Sequence, residues 1–234
     1  MTAHGGAPLD GVAVLVAGGT GNVGRAIVTG LAHSGATVVV PSRSAAKLAA
    51  LRAVQTTAGA DRLITILGDI SNEQQAAEIR NEALARVTRL DAVVASLGSF
   101  VAAPSVLAEP RAALEHVLAD YLLAHFVVAR TFLPLFTSTP GTYLLINGPL
   151  AFAPAPGSGL VSIATAGQAM LADTLIEETA HSSARVNELV IHLGIGWGSP
   201  EETRRNGERV AGAVATIIVD GTSGTRLHVS ASEG

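Results

Sequence analysis

Gly18, Gly21 and Gly24 fall at steps of three within VLVAGGTGNVGRAIV (residues 14–28), between a run of small aliphatics and a helix-like run. Two kinds of phosphate chemistry use loops of this type. A P-loop needs G-x-x-x-x-G-K-[ST], with the lysine on the phosphates and the hydroxyl on a metal ion. Gly19 and Gly24 have that spacing, but Arg25 and Ala26 follow, so the P-loop is rejected. The second is a dinucleotide loop, in which glycines make the turn, admit the pyrophosphate to the backbone and let the following helix pack on the sheet. Glycine spacing alone is a weak signal. Here a strand precedes, a helix follows, and a second apolar run ends where a ribose would lie.

Groups able to move protons are scarce. The chain has one lysine, Lys47, two tyrosines, Tyr121 and Tyr143, and no cysteine, which excludes thiolate chemistry and disulfides. Tyr121 and His125 stand one helical turn apart, near enough to interact and pass a proton, although aromatics at such a spacing more often pack. Asn147, at a strand end, is suited to a carbonyl oxygen or to the local backbone. Ser162 reads as a helix-entry cap. His116 and Asp120 share a helical face, but two groups do not make a metal site, and no metal is expected.

The elements that must position these groups alternate. Strand-like runs cover 12–17, 36–40, 63–67, 91–95, 142–147, 186–193 and 226–229. Helical patterns cover 24–34, 44–58, about 72–89, 111–136, 165–180 and 200–219. SNEQ (71–74) and SPEE (199–202) have the form of capping boxes. Strands that are apolar on both faces and alternate with helices predict a doubly wound parallel α/β sheet with helices on both faces, a single Rossmann-like domain over 9–234 behind a loose tail at 1–8.

Of 234 residues, 48% are hydrophobic and 15% charged, against a usual charged share of about 25%. Part of the surface is therefore expected to lie between subunits. The net charge of -4, with no basic run, argues against nucleic acid and anionic lipid. No uninterrupted apolar run approaches the roughly 18 residues that would suggest a membrane span, and a cytoplasmic location is expected.

With these residues in view, the chain resembles the short-chain dehydrogenase/reductase superfamily from Leu9 to about Ser230. AGGTGNVG resembles the family's glycine motif, with Asn22 at the middle glycine of the commonest subfamily. The resemblance implies cofactor contacts from Gly18, Thr20, Gly21, Asn22, Val23 and Gly24. It adds Ser42 and Arg43 after the second strand, Asp69 and Ile70 in GDI, and Ser96, Leu97 and Gly98 in ASLG. A hydroxyl and a cation at 42 and 43, where NAD-binding relatives carry an acid, imply NADP(H) rather than NAD(H). Relatives also form homodimers or homotetramers.

The same resemblance exposes a loss. The family's reductases use Asn, Ser, Tyr and Lys, with Y-x-x-x-K as the acid–base pair, and Y-x-x-x-K is absent: His125 and Asn147 stand four residues after the tyrosines. RTFLP (130–134) places Tyr121 at the Asn position, and GTYLLING places Asn147 and Gly148 at the Ser-Ser end of a strand. Counting on gives Val161 for Tyr and Thr165 for Lys, and LIEE (175–178) gives the same register. A slip of one residue gives Ser162 with Ala166, or Leu160 with Ala164. The expectation is an oxidoreductase of a small carbonyl or alcohol with a degenerate active site, with Tyr121, Asn147 and Ser162 as weak catalytic candidates. A non-catalytic NADP(H) sensor or scaffold, and a non-redox isomerase or cyclase, stay open. GIGWGSPEETRRNGER, with the only tryptophan, Trp197, is where relatives carry a flap.

Overall fold

Seven aliphatic runs become strands: β1 (Ala13–Ala17), β2 (Thr37–Ser42), β3 (Leu63–Leu67), β4 (Ala92–Ala95), β5 (Gly141–Asn147), β6 (Ala184–Ile191) and β7 (Thr225–Val229). A computed structural model describes residues 9–55 and 57–231, so the tail expected over 1–8 lies outside them. The strands form one sheet in the order β3-β2-β1-β4-β5-β6-β7, and every pairing is parallel. Between them run α1 (Asn22–His33), α2 (Ala45–Ala53), α3 (Thr57–Asp61), α4 (Glu73–Arg86), α5 (Arg111–Leu118), α6 (Ala124–Phe132), α7 (Gly159–Thr179) and α8 (Pro200–Asp220).

Successive strand residues point to opposite faces, and this alternation divides the core into two layers. Val14, Val16, Val38 and Val40 face one layer with Ile27 and Leu31 of α1 and Val210 and Val214 of α8. Leu15, Ala17, Val39 and Val93 face the other with Ile79 of α4, Phe132 of α6 and Ala172 of α7. This is the doubly wound arrangement expected of strands apolar on both faces. The chain reverses its direction of sheet growth between β1 and β4, and a crevice opens there at the strands' carboxyl ends.

Several boundaries depart from the sequence reading. The helix expected over 44–58 ends at Ala53, and α3 begins at Thr57. The cap of α4 is Asn72, whose side chain accepts from the Gln75 N–H at 3.1 Å, because Ser71 is held by Asp69 instead. Helix α7 starts at Gly159, six residues before the expected start. Leu160, Val161 and Ala164 bury one stripe against Val117, and that packing overrides a Gly/Ser-rich start. The SPEE box forms as expected, with the Ser199 side chain accepting from the Glu202 N–H and the Glu202 carboxylate accepting from the Ser199 N–H. Residues 111–136 and 159–179 are long and apolar enough to cross a membrane by length and composition, but α6 and α7 within them pack on the sheet as core helices.

Candidate functional site

Two clefts meet over the carboxyl ends of β1 and β4. The outer cleft, about 260 Å³, is walled by Gly18, Thr20 and Gly21 of the glycine loop. Ser42, Arg43, Ser44 and Lys47 close it after β2, Asp69 and Ile70 after β3, and Ser96, Leu97 and Gly98 after β4. The inner cleft, about 270 Å³, shares Gly21 and Ser96–Gly98 as a common wall and adds Val23, Gly24, Tyr121, Asn147, Gly148, Val161 and Thr165. The residues that the sequence marked for a cofactor thus converge, with one exception. Asn22 instead lines a separate groove between α1 and α8, its side chain beside Gly196. One residue is about 100° of helical rotation, so Asn22 turns away while Val23 faces the cleft.

The glycine loop is locked by contact as well as by conformation. Gly18 has φ of +78°, and a Cβ there would overlap the Ser96 carbonyl oxygen; a Cβ on Gly24 would overlap the Gly18 carbonyl. The loop therefore rests directly on the turn after β4. The N-cap of α1 is Gly21, which supplies no side chain to the first-turn N–H groups. Those donors and the helix dipole are free for an anion.

The β2 end of the outer cleft carries two cations, Arg43 and Lys47, while Asp69 and Asp120 also line the cleft. Arg43 is 71% exposed and 3.9 Å from Asp69, a loose surface pair worth at most about 1 kcal/mol and readily redirected. The Ser42 hydroxyl lies 3.3 Å from that of Thr20 and accepts from the Ser44 N–H. Ser44 caps α2 through the Lys47 N–H, and the lysine lines the same cleft. Ser44 and Lys47 were missed as cleft residues. Their signal was available: a Ser followed three residues later by the chain's one lysine, just after PSR, puts both on the first turn of a helix.

The inner cleft carries no charged side chain. Its polar groups are mostly committed to the fold. Asn147 donates to the Thr165 carbonyl (3.1 Å) and the Glu188 carboxylate (2.7 Å) and accepts from the Gly148 N–H (2.8 Å). The Asn147 side chain is thus engaged by the fold, the backbone-satisfying alternative of the two its strand-end position suggested. Thr165 and Val161 lie one turn apart on α7, and the Thr165 hydroxyl donates to the Val161 carbonyl at 2.8 Å. Gln168 donates to the Ile146 carbonyl at 2.7 Å.

Tyr121 sits on a π turn (Ala119–Leu123) between α5 and α6, a distortion frequent at functional positions. Its ring covers Gly98, whose φ of +116° and lack of Cβ make the room. The hydroxyl makes no hydrogen bond with any described residue. Burial, reinforced by the neighbouring Asp120 charge, pushes its pKa up to about 12. The Tyr–His proton pair does not form. His125 is fully buried, and its ring nitrogens meet the backbone carbonyls of Tyr121 (2.8 Å) and Ala95 (3.3 Å). Burial lowers its pKa against the pull of those two bonds, so it stays neutral. Ser162 is not a cap either: it lies inside α7, outside the cleft lining, with a buried hydroxyl that has no partner. His116 and Asp120 form the expected surface pair at 3.7 Å, and no cluster able to hold a metal occurs among the described residues.

Behind Asn147 runs a buried polar chain. Glu188 is fully buried on β6 and accepts from Arg226 Nε of β7, beside it in register. Arg226 also donates to Asp173 at 2.7 Å, and its guanidinium lies 4.9 Å from the centre of the Phe152 ring.

Comparison with known proteins bears on this geometry. The profile of the family described as short chain dehydrogenase matches residues 12–194. The cis-2,3-dihydrobiphenyl-2,3-diol dehydrogenase of Paraburkholderia xenovorans is 26% identical over 160 residues, which is 67% of this chain and 56% of that protein. The chain spans about half or less of the length of the curated relatives it matches. Among solved structures, a dehydrogenase/reductase from Sinorhizobium meliloti superposes with a TM-score of 0.81 at 24% identity, covering 97% of this chain and 96% of that one. A short-chain dehydrogenase/reductase from Serratia marcescens gives 0.81 at 22%, covering 95% and 97%. At these identities the structural likeness is one of fold.

Proposed function

Since the chain belongs to the short-chain dehydrogenase family, whose members bind nicotinamide cofactors, we propose that it is an NADP(H)-dependent oxidoreductase of small carbonyl or alcohol compounds, with a degenerate active site. The observation that carries this reading is the junction of an outer cleft bearing Arg43 and Lys47 beyond β2 with an uncharged inner cleft, across Gly21 and Ser96–Gly98. Ser42, Arg43 and Lys47 would take a 2′-phosphate, the glycine loop and the α1 N-terminus the pyrophosphate, and Asp69 and Ile70 the adenine end. The cofactor, when bound, supplies the hydride chemistry.

The residues at the family's Ser, Tyr and Lys positions, Gly148, Val161 and Thr165, offer no titrating group. Two side-chain hydroxyls lining the inner cleft, those of Tyr121 and Ser96, are not committed to the protein; Tyr121 covers Gly98 between the clefts, and Ser96 stands on the wall shared with the outer cleft. A phenol with its pKa at about 12 keeps its proton through the physiological range. It can therefore give a hydrogen bond or a proton to a substrate oxygen that gains charge. As a base it is nearly absent: roughly 10⁻⁴ of it is ionised at pH 8. Reduction is the favoured direction. The exposed apolar residues Leu123, Phe126, Ile163 and Met170 on the long helices suit pairing with a second copy of the chain.

The pH profile of NADPH-dependent ketone reduction tests this reading. The acid form exists below its pKa, so kcat/KM should stay flat from about pH 6 to 10 and fall only toward about 12. Tyr121→Phe should lower kcat by about 10²-fold with NADPH affinity unchanged. A titration near neutrality, or a Tyr121→Phe enzyme as fast as the parent, contradicts it.

A further inference from the structure

We infer that the inner cleft selects an uncharged, ring-bearing ligand with one polar oxygen, its ring against Phe100 beside Trp197 and its oxygen on the Tyr121 hydroxyl. The inference rests on the reading of the inner cleft as the substrate site. Three observations lead to it. No Asp, Glu, Lys, Arg or His lines this cleft, so a carboxylate or phosphate on the ligand would meet no counter-charge there. The side chains of Asn147, Thr165 and Gln168 are bonded to the protein, which leaves the Tyr121 hydroxyl as the open donor of this cleft, with the Ser96 hydroxyl on the wall it shares with the outer cleft. The walls are otherwise apolar, from Val23, Leu97, Phe100, Leu150, Val161 and Leu193.

The third observation lies at the mouth. Phe100, on the loop after β4, and Trp197, on the loop after β6, are 53% and 65% exposed, yet their rings meet edge to face with centroids 5.9 Å apart. Neither belongs to a core cluster. Two large aromatics left in water on separate loops mark a contact surface rather than a packing need. The Trp197 loop is anchored by the Asn206 side chain on the Gly194 carbonyl at 2.9 Å. Gly196 and Gly198 flank the tryptophan with φ of +82° and +87°, so its position is set by a glycine-only backbone. The cleft volume of about 270 Å³ suits a ligand of one ring and a short side chain.

The test uses the intact chain with acetophenone and 4-acetylbenzoate, which differ by one carboxylate. Calorimetry gives affinity, and the fluorescence of Trp197, the chain's only tryptophan, reports the place of binding. Acetophenone should bind and change the Trp197 emission, with 4-acetylbenzoate at least about tenfold weaker. Phe100→Ala should weaken acetophenone by about fivefold and leave NADPH affinity unchanged; Phe100→Leu, which keeps an apolar side chain, should weaken it less. The comparison of the two ketones needs no variant, so it stands even if a variant misfolds. Equal or tighter binding of the carboxylate, binding of neither ketone, or binding without a Trp197 response overturns the inference. NADPH is titrated separately by nicotinamide fluorescence. Loss of NADPH binding with ketone discrimination intact overturns the cofactor reading and leaves this one standing.

Discussion

Arg226→Ala should lower the unfolding free energy by about 3–5 kcal/mol, the usual cost of removing one partner of a buried ion pair. The Glu188 carboxylate is fully buried, and Arg226 Nε is its charged partner. Without the guanidinium, only the Asn147 amide at 2.7 Å and a neutral interior remain for it. At this chain length each kcal/mol corresponds to about 2–4 °C in the midpoint of a thermal melt. The half-exposed Asp173 arm of the pair adds little, so Asp173→Ala should cost under about 1 kcal/mol. Replacing both Arg226 and Glu188 with methionine should restore most of the loss, because no unpaired charge is then left inside. Equal destabilisation of the single and double variants would show that the pair contributes through packing alone. The chain also ties stability to the site: Glu188 holds the Asn147 side chain, and Asn147 forms part of the inner cleft wall.

Gly18→Ala should abolish dinucleotide binding and cost the fold several kcal/mol. Two penalties combine. A left-handed backbone costs an L-residue about 1–2 kcal/mol, and overpacking a tight site adds about 1–3 kcal/mol. Here the new Cβ would overlap the Ser96 carbonyl, which is backbone and cannot swing aside. The glycine loop and the Ser96–Gly98 turn must then separate, and they are the wall common to both clefts. Gly11→Ala is the matched control. Gly11 also has a positive φ, +81°, but a Cβ there meets nothing within 4 Å. It should show the conformational cost alone and leave NADPH affinity untouched. If the two alanines behave alike in melts and in titration, the contact with Ser96 carries no weight.

How far the molecule is legible in its sequence follows from the range of the interactions involved. The sheet is legible because VLVA (14–17), VVV (38–40) and LLI (144–146) are apolar at every position, as a strand covered on both faces requires. The glycine loop and Ser42–Arg43 are legible because each lies within a few residues of its strand end. What local pattern leaves open is decided by tertiary contacts. Ser162 has the type of a cap, but α7 begins three residues earlier because Leu160 and Val161 have Val117 to pack on. Tyr121 and His125 have the spacing of a pair, yet the ring of His125 is drawn into the core by the Ala95 carbonyl, 30 residues away. Asn147 is committed to Glu188 across 41 residues. The inner cleft's apolar character likewise comes from loops far apart in the chain, and no local pattern announces it.

Whether the outer cleft takes a 2′-phosphorylated dinucleotide is decided by a paired calorimetric titration of NADPH and NADH. NADPH should bind at least about tenfold tighter than NADH, a ratio worth about 1.4 kcal/mol, and that ratio should collapse in Arg43→Ala through loss of NADPH affinity alone. NADH binding as tight as NADPH, with Arg43→Ala affecting neither, would contradict the assignment of Ser42, Arg43 and Lys47. Binding of neither dinucleotide would contradict the cofactor site as a whole.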